Sequence, residues 1–525
     1  MTKKLNSPFC KKSLTQNTNL FLHFNMISTM SFLLLALSVS IIFLFNLFRP
    51  KKSKARLPPG PKGLPLIGNL HEFDPMHPHL YLYELAKKHG PLMRMKFGCR
   101  PAIVISSARV AKLALKNNDL AFSGRPPLIG FQKYSYNGKD ITLSNYNETW
   151  REMRKLSLIH LFSVKQVVSF RPLRKDEVST MIQDMIKKSV SSEVINLSRA
   201  AFFLTNRIIC RAGFGKKYDE MGKRRFDECL KETQELCVAF FFGDYFPFLG
   251  WLDKLTGMNS RLEKNFRDLD NIYQETIDDH LDPNRPESMR GDILDLLIQL
   301  KQEQAAPVPI EWENVKGILM NVFIAGTDTS ASLIVWAMTA LIKKPEVMKK
   351  AQEEIRNVLG NKGTVDEDDI QNLPYLKAII KETLRLFPPT PLSVPRETIQ
   401  KSTVDGFEIP EKTMVYVNVH AIGLDPEYWE YPTEFLPDRF LNSAIDYKGH
   451  DFGLLPFGSG RRGCPGMNLG LATVELALAN LLYSFDWELP HGMKKEDIDM
   501  EVSPGVTSHK KIDLCLVGKC YEYNN

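Results

Sequence analysis

The stretch that most constrains this chain is Phe457-Gly-Ser-Gly-Arg-Arg-Gly-Cys464-Pro-Gly466. Its glycines and its proline rule out a regular helix or strand, so the segment is an open turn, with Cys464 at its end and Arg461 and Arg462 just before it. Read physically, such a turn offers a thiolate axial ligand to iron, with Arg462 available for an anion and the glycines permitting close approach of a flat group. The plainer alternative is a glycine-rich turn carrying a buried free cysteine, and a bare Cys-Pro-Gly is most often that. The choice between them rests on whether the remaining residues supply the other parts of an iron site.

At 525 residues and 43% hydrophobic composition, the chain has material for a large core, either as several domains or as one large two-lobed domain. The net charge of +7 does not point to nucleic acid, because Lys and Arg are dispersed and aromatic residues do not interleave with a basic stripe. A positive face toward an anionic membrane or an acidic redox partner fits better. Among the eight cysteines no CxxC pair and no Cys/His zinc spacing occurs, which leaves Cys464 to act alone.

Met30 to Phe48 is uncharged and rich in Leu, Ile, Phe and Val, and Arg49, Lys51, Lys52, Lys54 and Arg56 come directly after it. That length spans a bilayer, and the positive flank favours a cytosolic position for the rest of the chain. Residues 1–29 read as a leader whose lysines blur this asymmetry; Met26 and Met30 are alternative starts. A cleaved signal peptide is the competing reading, disfavoured by the long apolar run. Residues 49–69 form a basic, proline-rich hinge, in which Leu57-Pro-Pro-Gly-Pro-Lys-Gly-Leu-Pro65 cannot continue a helix. Residues 70–525 are the expected catalytic body.

Within that body, Leu80–Lys88 has helical character, and Leu92–Phe97 and Ala102–Ser106 read as strands. Phe122–Asn147 reads as a long loop. Trp150 and Arg154 lie four apart at the start of a helix. Helices dominate Val178–His280, broken at Gly213–Gly215 and at the apolar Phe240–Gly250, which is either a buried loop or a lid facing a membrane. The helix expected over Trp312–Leu341 contains Ala325-Gly-Thr-Asp-Thr329, where small residues leave room for a neighbouring group and the hydroxyls can back-bond to carbonyls. Glu382 and Arg385 are spaced as a helical ion pair. Pro388–Arg396 is extended, Lys401–Ile409 is a hairpin, Met414–Val419 is a strand, and Met467–Leu482 is an apolar helix whose N-terminus lies near Cys464.

Taken together, these motifs resemble the cytochrome P450 family. Phe457 to Gly466 matches its haem signature Phe-x-x-Gly-x-Arg-x-Cys-x-Gly; Trp150-x-x-x-Arg154, Ala325-Gly-x-Asp-Thr329, Glu382-x-x-Arg385 and Phe435-x-Pro-x-Arg439-Phe440 match its other elements in order. The proline hinge, Ile67-Gly-Asn-Leu70 and Ser123-Gly-Arg-Pro-Pro127 are similar to plant microsomal members of the CYP71 clan, near the CYP71 and CYP83 families.

The resemblance implies a mainly α-helical fold with small β-sheets around haem b, preceded by a single N-terminal transmembrane helix in the endoplasmic reticulum membrane, with the catalytic body in the cytosol. It implies Cys464 as proximal iron ligand; Thr329 and Asp328 as proton-handling residues; Ala325 and Gly326 as small residues facing the iron; and Trp150, Arg154, Arg396 and Arg462 as propionate partners, with Phe457 and Gly466 completing the cofactor loop. It places Val322, Phe323, Ala325, Thr390, Ser393, Val394 and Val506 at the substrate pocket, and Glu382, Arg385 and Arg439 in a structural charge network.

The activity implied is oxygen insertion into a small hydrophobic plant specialised metabolite (a terpenoid, alkaloid or phenylpropanoid). Electrons would come from NADPH through cytochrome P450 reductase, with cytochrome b5 as a further partner; NADPH itself is not bound by this chain. Alternatives are aldoxime oxidation of the CYP83 type, a haem-thiolate isomerase or dehydratase, and a non-catalytic haem protein or membrane scaffold.

Overall fold

In a computed structural model that describes residues 56–215, 223–287, 290–503 and 505–522, alternating apolar and charged residues build the first sheet. The expected leader, the apolar span 30–48 and the start of the hinge lie outside the described residues. The described residues of 56–63 and from 67 onward form one compact unit.

The strands in chain order are Leu92–Phe97 (β1), Arg100–Ile105 (β2), Ile195–Asn196 (β3), Arg396–Glu397 (β4), Ser402–Val404 (β5), Phe407–Ile409 (β6), Met414–Val417 (β7), Phe485–Glu488 (β8) and Cys515–Cys520 (β9). In β1, Met93, Met95 and Phe97 face inward while Arg94 and Lys96 face water, the period of a strand with one covered face. A four-stranded sheet has the order β1-β2-β7-β4, with β2 and β7 parallel and its other pairs antiparallel. Strands β3, β9 and β8 make a second sheet, and β5 and β6 make the expected hairpin. Its turn carries Asp405 and Gly406 at φ +52° and +75°, as a two-residue hairpin loop needs. The proline-rich string is tacked to this region: the Arg94 N–H donates to the Pro59 carbonyl at 2.7 Å and the Glu408 N–H to the Arg56 carbonyl at 2.8 Å.

The main helices are Pro78–His89 (α1), Ile129–Tyr134 (α2), Glu148–Leu156 (α3), Arg171–Val190 (α4), Leu197–Phe214 (α5), Lys223–Val238 (α6), Met258–Leu281 (α7), Ile293–Gln302 (α8), Trp312–Lys343 (α9), Pro345–Leu359 (α10), Pro374–Leu386 (α11) and Met467–Ser484 (α12). Two of the differences from the expectation have a clear local cause. The loop over Phe122–Asn147 is not wholly irregular, because its apolar Ile129–Tyr134 folds into α2 and buries Phe131 and Tyr134. The strand expected to reach Val419 stops at Val417, where the Asn418 side chain accepts from the Ala421 N–H and caps a short helix, Val419–Gly423.

Helix α9 is the axis of the fold. A capping box between Glu311 and Asn314 starts it, and Pro345 opens the next helix just beyond its end. Among the described residues it is the one helix long and apolar enough to cross a membrane, but most of its side chains are buried in the protein, so it is a core helix. It packs on α5 most closely where glycines meet large side chains: a Cβ on Gly326 would stand 2.6 Å from Ile209 Cδ1, and one on Gly213 would stand 3.1 Å from Phe323. Lower down, Trp336 stacks on Phe387 at 4.9 Å and its indole N–H donates to the Ser508 carbonyl, pinning α9 to the C-terminal segment. One apolar cluster joins α9 with α4, α5, α10, α11 and α12, and a second joins it with β1, β2 and α5 to α8. A large cavity lies between these layers.

Candidate functional site

Cys464 is held by a loop whose shape depends on left-handed glycines: Gly458 and Gly460 have φ of +68° and +66°. The Cys464 N–H donates to the Phe457 carbonyl at 2.8 Å, and the Ser459 hydroxyl donates to the Gly449 carbonyl at 2.6 Å. Gly466 caps α12, so Cys464 sits just ahead of a helix N-terminus. Burial pushes the Cys464 thiol up; the N–H of Gly466, the charge of Arg154 and the N–H of Met467 oppose it by favouring the thiolate. The cysteine is deep in the protein, and the surface it does expose opens into the cavity.

That cavity encloses about 1530 Å³ of non-protein space including its mouth. Phe457, Arg462, Cys464 and Gly466 line it together with Val322, Ala325, Gly326 and Thr329 of α9. Thr390, Ser393 and Val394 contribute from the extended segment after α11. Val322 and Cys464, 142 positions apart in sequence (464 − 322), therefore share one space. The Thr329 hydroxyl donates to the Ala325 carbonyl at 2.6 Å, the back-bond expected of a threonine within a helix.

Four arginines gather beside the cysteine loop. Arg154 on α3 donates to the Gly463 carbonyl. Arg462 donates through Nε to the Ser123 carbonyl at 2.7 Å and through Nη2 to the Ser144 carbonyl at 2.8 Å. Arg396 donates to the Ser459 carbonyl at 3.0 Å. Arg125 donates to the carbonyls of Thr142, Val394 and Pro395. Carbonyls satisfy N–H groups but do not neutralise charge, and the cations press on one another. Burial, then repulsion from Arg396, brings Arg462 down to about 9; burial brings Arg396 down to about 10; burial also lowers Arg154 and, with Arg462 as next cause, pulls Arg125 well below its ordinary value. Nη1 of Arg462 is buried with no hydrogen-bond partner. Such a cluster calls for an anion.

Several expected residues sit elsewhere. Trp150 does not line the cavity: its indole N–H donates to the Ile141 carbonyl at 2.9 Å, and the Arg462 and Arg154 guanidiniums lie 4.1 and 5.5 Å from its ring. Arg396 is buried beside the cysteine loop, where it belongs to the cation cluster without itself lining the cavity. Asp328 is turned away from the cavity, with Oδ2 3.4 Å from His509 Nε2. Phe323 stacks on Phe214 at 4.2 Å, inside an aromatic cluster with Phe226 and Tyr273, because successive α9 residues point in different directions. Val506 packs against the core outside the cavity lining. Conversely, Arg125, Ile141, Thr142, Ile209 and Asn321 line the cavity without standing out in the sequence. Only Arg125 carried a local signal, as the lone cation of Ser123-Gly-Arg-Pro-Pro127.

The donor set fits a haem. A thiol ahead of a helix N-terminus stands at the wall of a largely apolar cavity, and an orphaned guanidinium nitrogen lies within a cluster of buried cations suited to carboxylates.

Comparison with known proteins agrees with this arrangement. The family model described as Cytochrome P450 matches residues 58–516. The chain is 47% identical over 504 residues to 6,7,8-trihydroxycoumarin synthase of Pastinaca sativa, covering 94% of this chain and 99% of that one. It is 45% identical over 500 residues to strychnine-11-hydroxylase of Strychnos nux-vomica, covering 93% and 98% respectively. Among solved structures, a zebra fish cytochrome P450 with progesterone superposes with a TM-score of 0.72 at 22% identity, over 84% of this chain and 99% of that chain, a likeness of fold. The chain belongs to the cytochrome P450 family and is a catalytic monooxygenase related to plant enzymes of the CYP71 clan.

Proposed function

We propose that the enzyme hydroxylates a small, largely apolar ring system of plant specialised metabolism. The observation that carries this is the single cavity in which Cys464 and its cationic neighbours share a lining with Ala325, Gly326 and Thr329. Haem, when bound, supplies the iron at which dioxygen is activated. In the overall balance substrate, dioxygen, NADPH and a proton give hydroxylated product, water and oxidised NADP. Electrons come from NADPH through cytochrome P450 reductase, with cytochrome b5 as an auxiliary partner.

In this reading Cys464 holds the iron, and the N–H groups at the start of α12 stabilise its charge. Arg462, Arg154 and Arg125 at the cavity wall would receive the propionates, with Arg396 adding its charge from beside them and Trp150 backing them. Thr329 presents a hydroxyl at the cavity, and the buried Asp328 handles protons on the far side of the helix, with the partly exposed His509 beside it. Val322, Ala325 and Val394 exclude water, while Thr390 and Ser393 orient a polar group of the substrate. The names of two relatives, a trihydroxycoumarin synthase and strychnine-11-hydroxylase, favour ring hydroxylation over aldoxime oxidation. Residues 30–48 anchor the enzyme in the endoplasmic reticulum membrane. The exposed Phe248, Trp251 and Leu255 after α6 suit contact with lipid.

The test is metabolite profiling of microsomes that contain the chain and its reductase, supplied with panels of coumarins, indole alkaloids and aldoximes under isotopically heavy dioxygen. The expected result is an NADPH-dependent product carrying one heavy oxygen atom. Turnover without NADPH would show isomerase or dehydratase chemistry instead, and bound haem with no product on any panel would show a scaffold.

A further inference from the structure

One stripe of α9 grips a segment that the cofactor-binding residues do not by themselves explain. Lys139 Nζ lies 2.6 Å from Glu311 Oε2, and Asn314 Nδ2 donates to the Lys139 carbonyl at 2.9 Å. A Cβ on Gly317 would stand 3.2 Å from Asp140 Cβ, so the chain passes directly over the helix. Asn321 Oδ1 then accepts from the N–H groups of both Ile141 and Thr142 at 3.1 Å, and its Nδ2 donates to Asp140 Oδ2 at 2.7 Å. Positions 311, 314, 317 and 321 follow one helical face.

The same short segment is held from its other side by the cofactor-facing residues. The Ile141 carbonyl accepts from Trp150, the Thr142 carbonyl from Arg125 and the Ser144 carbonyl from Arg462. Asp140 is buried and accepts from the N–H groups of Leu143 and Ser144. Ile141, Thr142 and Asn321 all line the cavity. The segment is thus a wall clamped between α9 and the arginine cluster, with Asn321 as the side chain that supplies both acceptor and donor at the cavity.

We propose that Asn321, with Asp140 as its partner, is the positioning residue that fixes the Ile141–Thr142 wall and thereby decides which substrates fit and how they lie. This rests on the reading of the cavity as the substrate site. The chemistry is asymmetric. Leucine at 321 strands the Ile141 N–H, leaves the Thr142 N–H only its 3.2 Å bond to Asp140 Oδ2, and removes a donor from Asp140. Aspartate at 321 keeps the acceptor but opposes two carboxylates at contact distance. Exchanging the pair, Asp140→Asn with Asn321→Asp, restores one amide and one carboxylate across the same contact.

The test titrates the holoenzyme by difference spectroscopy with imidazole, the small probe, and with phenylimidazole, whose added ring occupies more of the cavity that Ile141 and Thr142 line. Asn321→Asp is expected to weaken phenylimidazole about tenfold, the worth of one lost charge-assisted hydrogen bond, with imidazole affinity unchanged. The exchanged pair is expected to recover most of the loss. Hydrogen exchange in Asn321→Leu should accelerate most at the Ile141 amide, which has no second acceptor, while α12 stays protected. Equal phenylimidazole affinity in wild type and Asn321→Asp, or no recovery in the exchanged pair, would overturn the proposal. Absence of a spectral response to either ligand in the wild-type enzyme would overturn the cavity reading, and the proposal with it.

Discussion

Glu382 and Arg385 stand three residues apart on α11 and share two hydrogen bonds, Nε to Oε2 and Nη2 to Oε1, each 2.7 Å, with neither side chain exposed to solvent. The remaining Arg385 N–H groups reach the carbonyls of Gly423, Pro432 and Glu434, while Glu382 also receives the Leu436 N–H and Arg439 Nε. One helical turn therefore fastens the approach to the cysteine loop. The charges act on structure rather than on substrate.

Glu382→Ala leaves Arg385 as a buried cation with carbonyls but no counter-charge. Breaking such a pair costs about 3–5 kcal/mol. The expected outcome is a large drop in thermal midpoint and in haem-loaded protein recovered, with Glu382→Gln intermediate. A thermal midpoint within error of wild type for Glu382→Ala would show that the pair is dispensable.

Cys464→Ala separates the ligand from the scaffold of its loop. The Cys464 N–H to Phe457 carbonyl bond and the Ser459 to Gly449 contact belong to other atoms and survive. The variant is expected to keep its far-ultraviolet dichroism and to lose the thiolate-type Soret shift of the reduced carbonyl complex. A wild-type spectrum from the variant would remove Cys464 from the iron.

The parts of the site that were legible in the sequence are those encoded within one turn of helix or one loop. Cys464 with its glycines, the Glu382–Arg385 spacing and the Thr329 to Ala325 back-bond each carry their geometry locally, and the family resemblance supplied their roles. Arg439 was legible through the family resemblance alone. What escaped depends on distant chain segments meeting. Asn321 looks like any helix residue until Asp140, 181 positions earlier, packs against it. Phe323 was read as an apolar pocket residue and Asp328 through the family resemblance, and neither reading says where the side chain leaves the helix. The structure sends one into aromatic packing and the other toward His509. Arg125 was visible only as one cation in a loop, whereas its meaning comes from the company of Arg462 and Arg396.

Acid should destabilise the enzyme through a pair of buried histidines. His79 of α1 and His420 meet edge to face at 5.2 Å; burial, aided for His79 by the neighbouring His420, depresses them to about 3 and about 4 from an ordinary 6.5. A depressed folded value means that the unfolded chain binds protons first, so stability falls as pH drops from 6.5 toward 3. At pH 5 one such histidine is worth ~2 kcal/mol. His79→Phe keeps a ring at the contact and should flatten the decline in unfolding free energy between pH 6.5 and pH 4. An unchanged slope would place the acid sensitivity elsewhere.

Gly326 reads as an iron-facing residue by family pattern, yet its missing Cβ is also what allows α9 to cross α5. A methyl there would stand 2.6 Å from Ile209 Cδ1, and Ile209 itself lines the cavity. Alanine in place of glycine within a helix gains up to about 1 kcal/mol of propensity, while overpacking costs about 1–3 kcal/mol. The clash involves the far end of a flexible side chain, so the lower end of that cost applies and the terms nearly cancel. Gly326→Ala should therefore fold with a thermal midpoint close to wild type and rotate Ile209 into the cavity. The measurable consequence is weaker binding of bulky spectral ligands with small ones unaffected, and Gly326→Ala combined with Ile209→Val should restore it. If the single variant binds bulky and small ligands as wild type does, the α5–α9 crossing has room to spare and Gly326 serves only the iron-facing side.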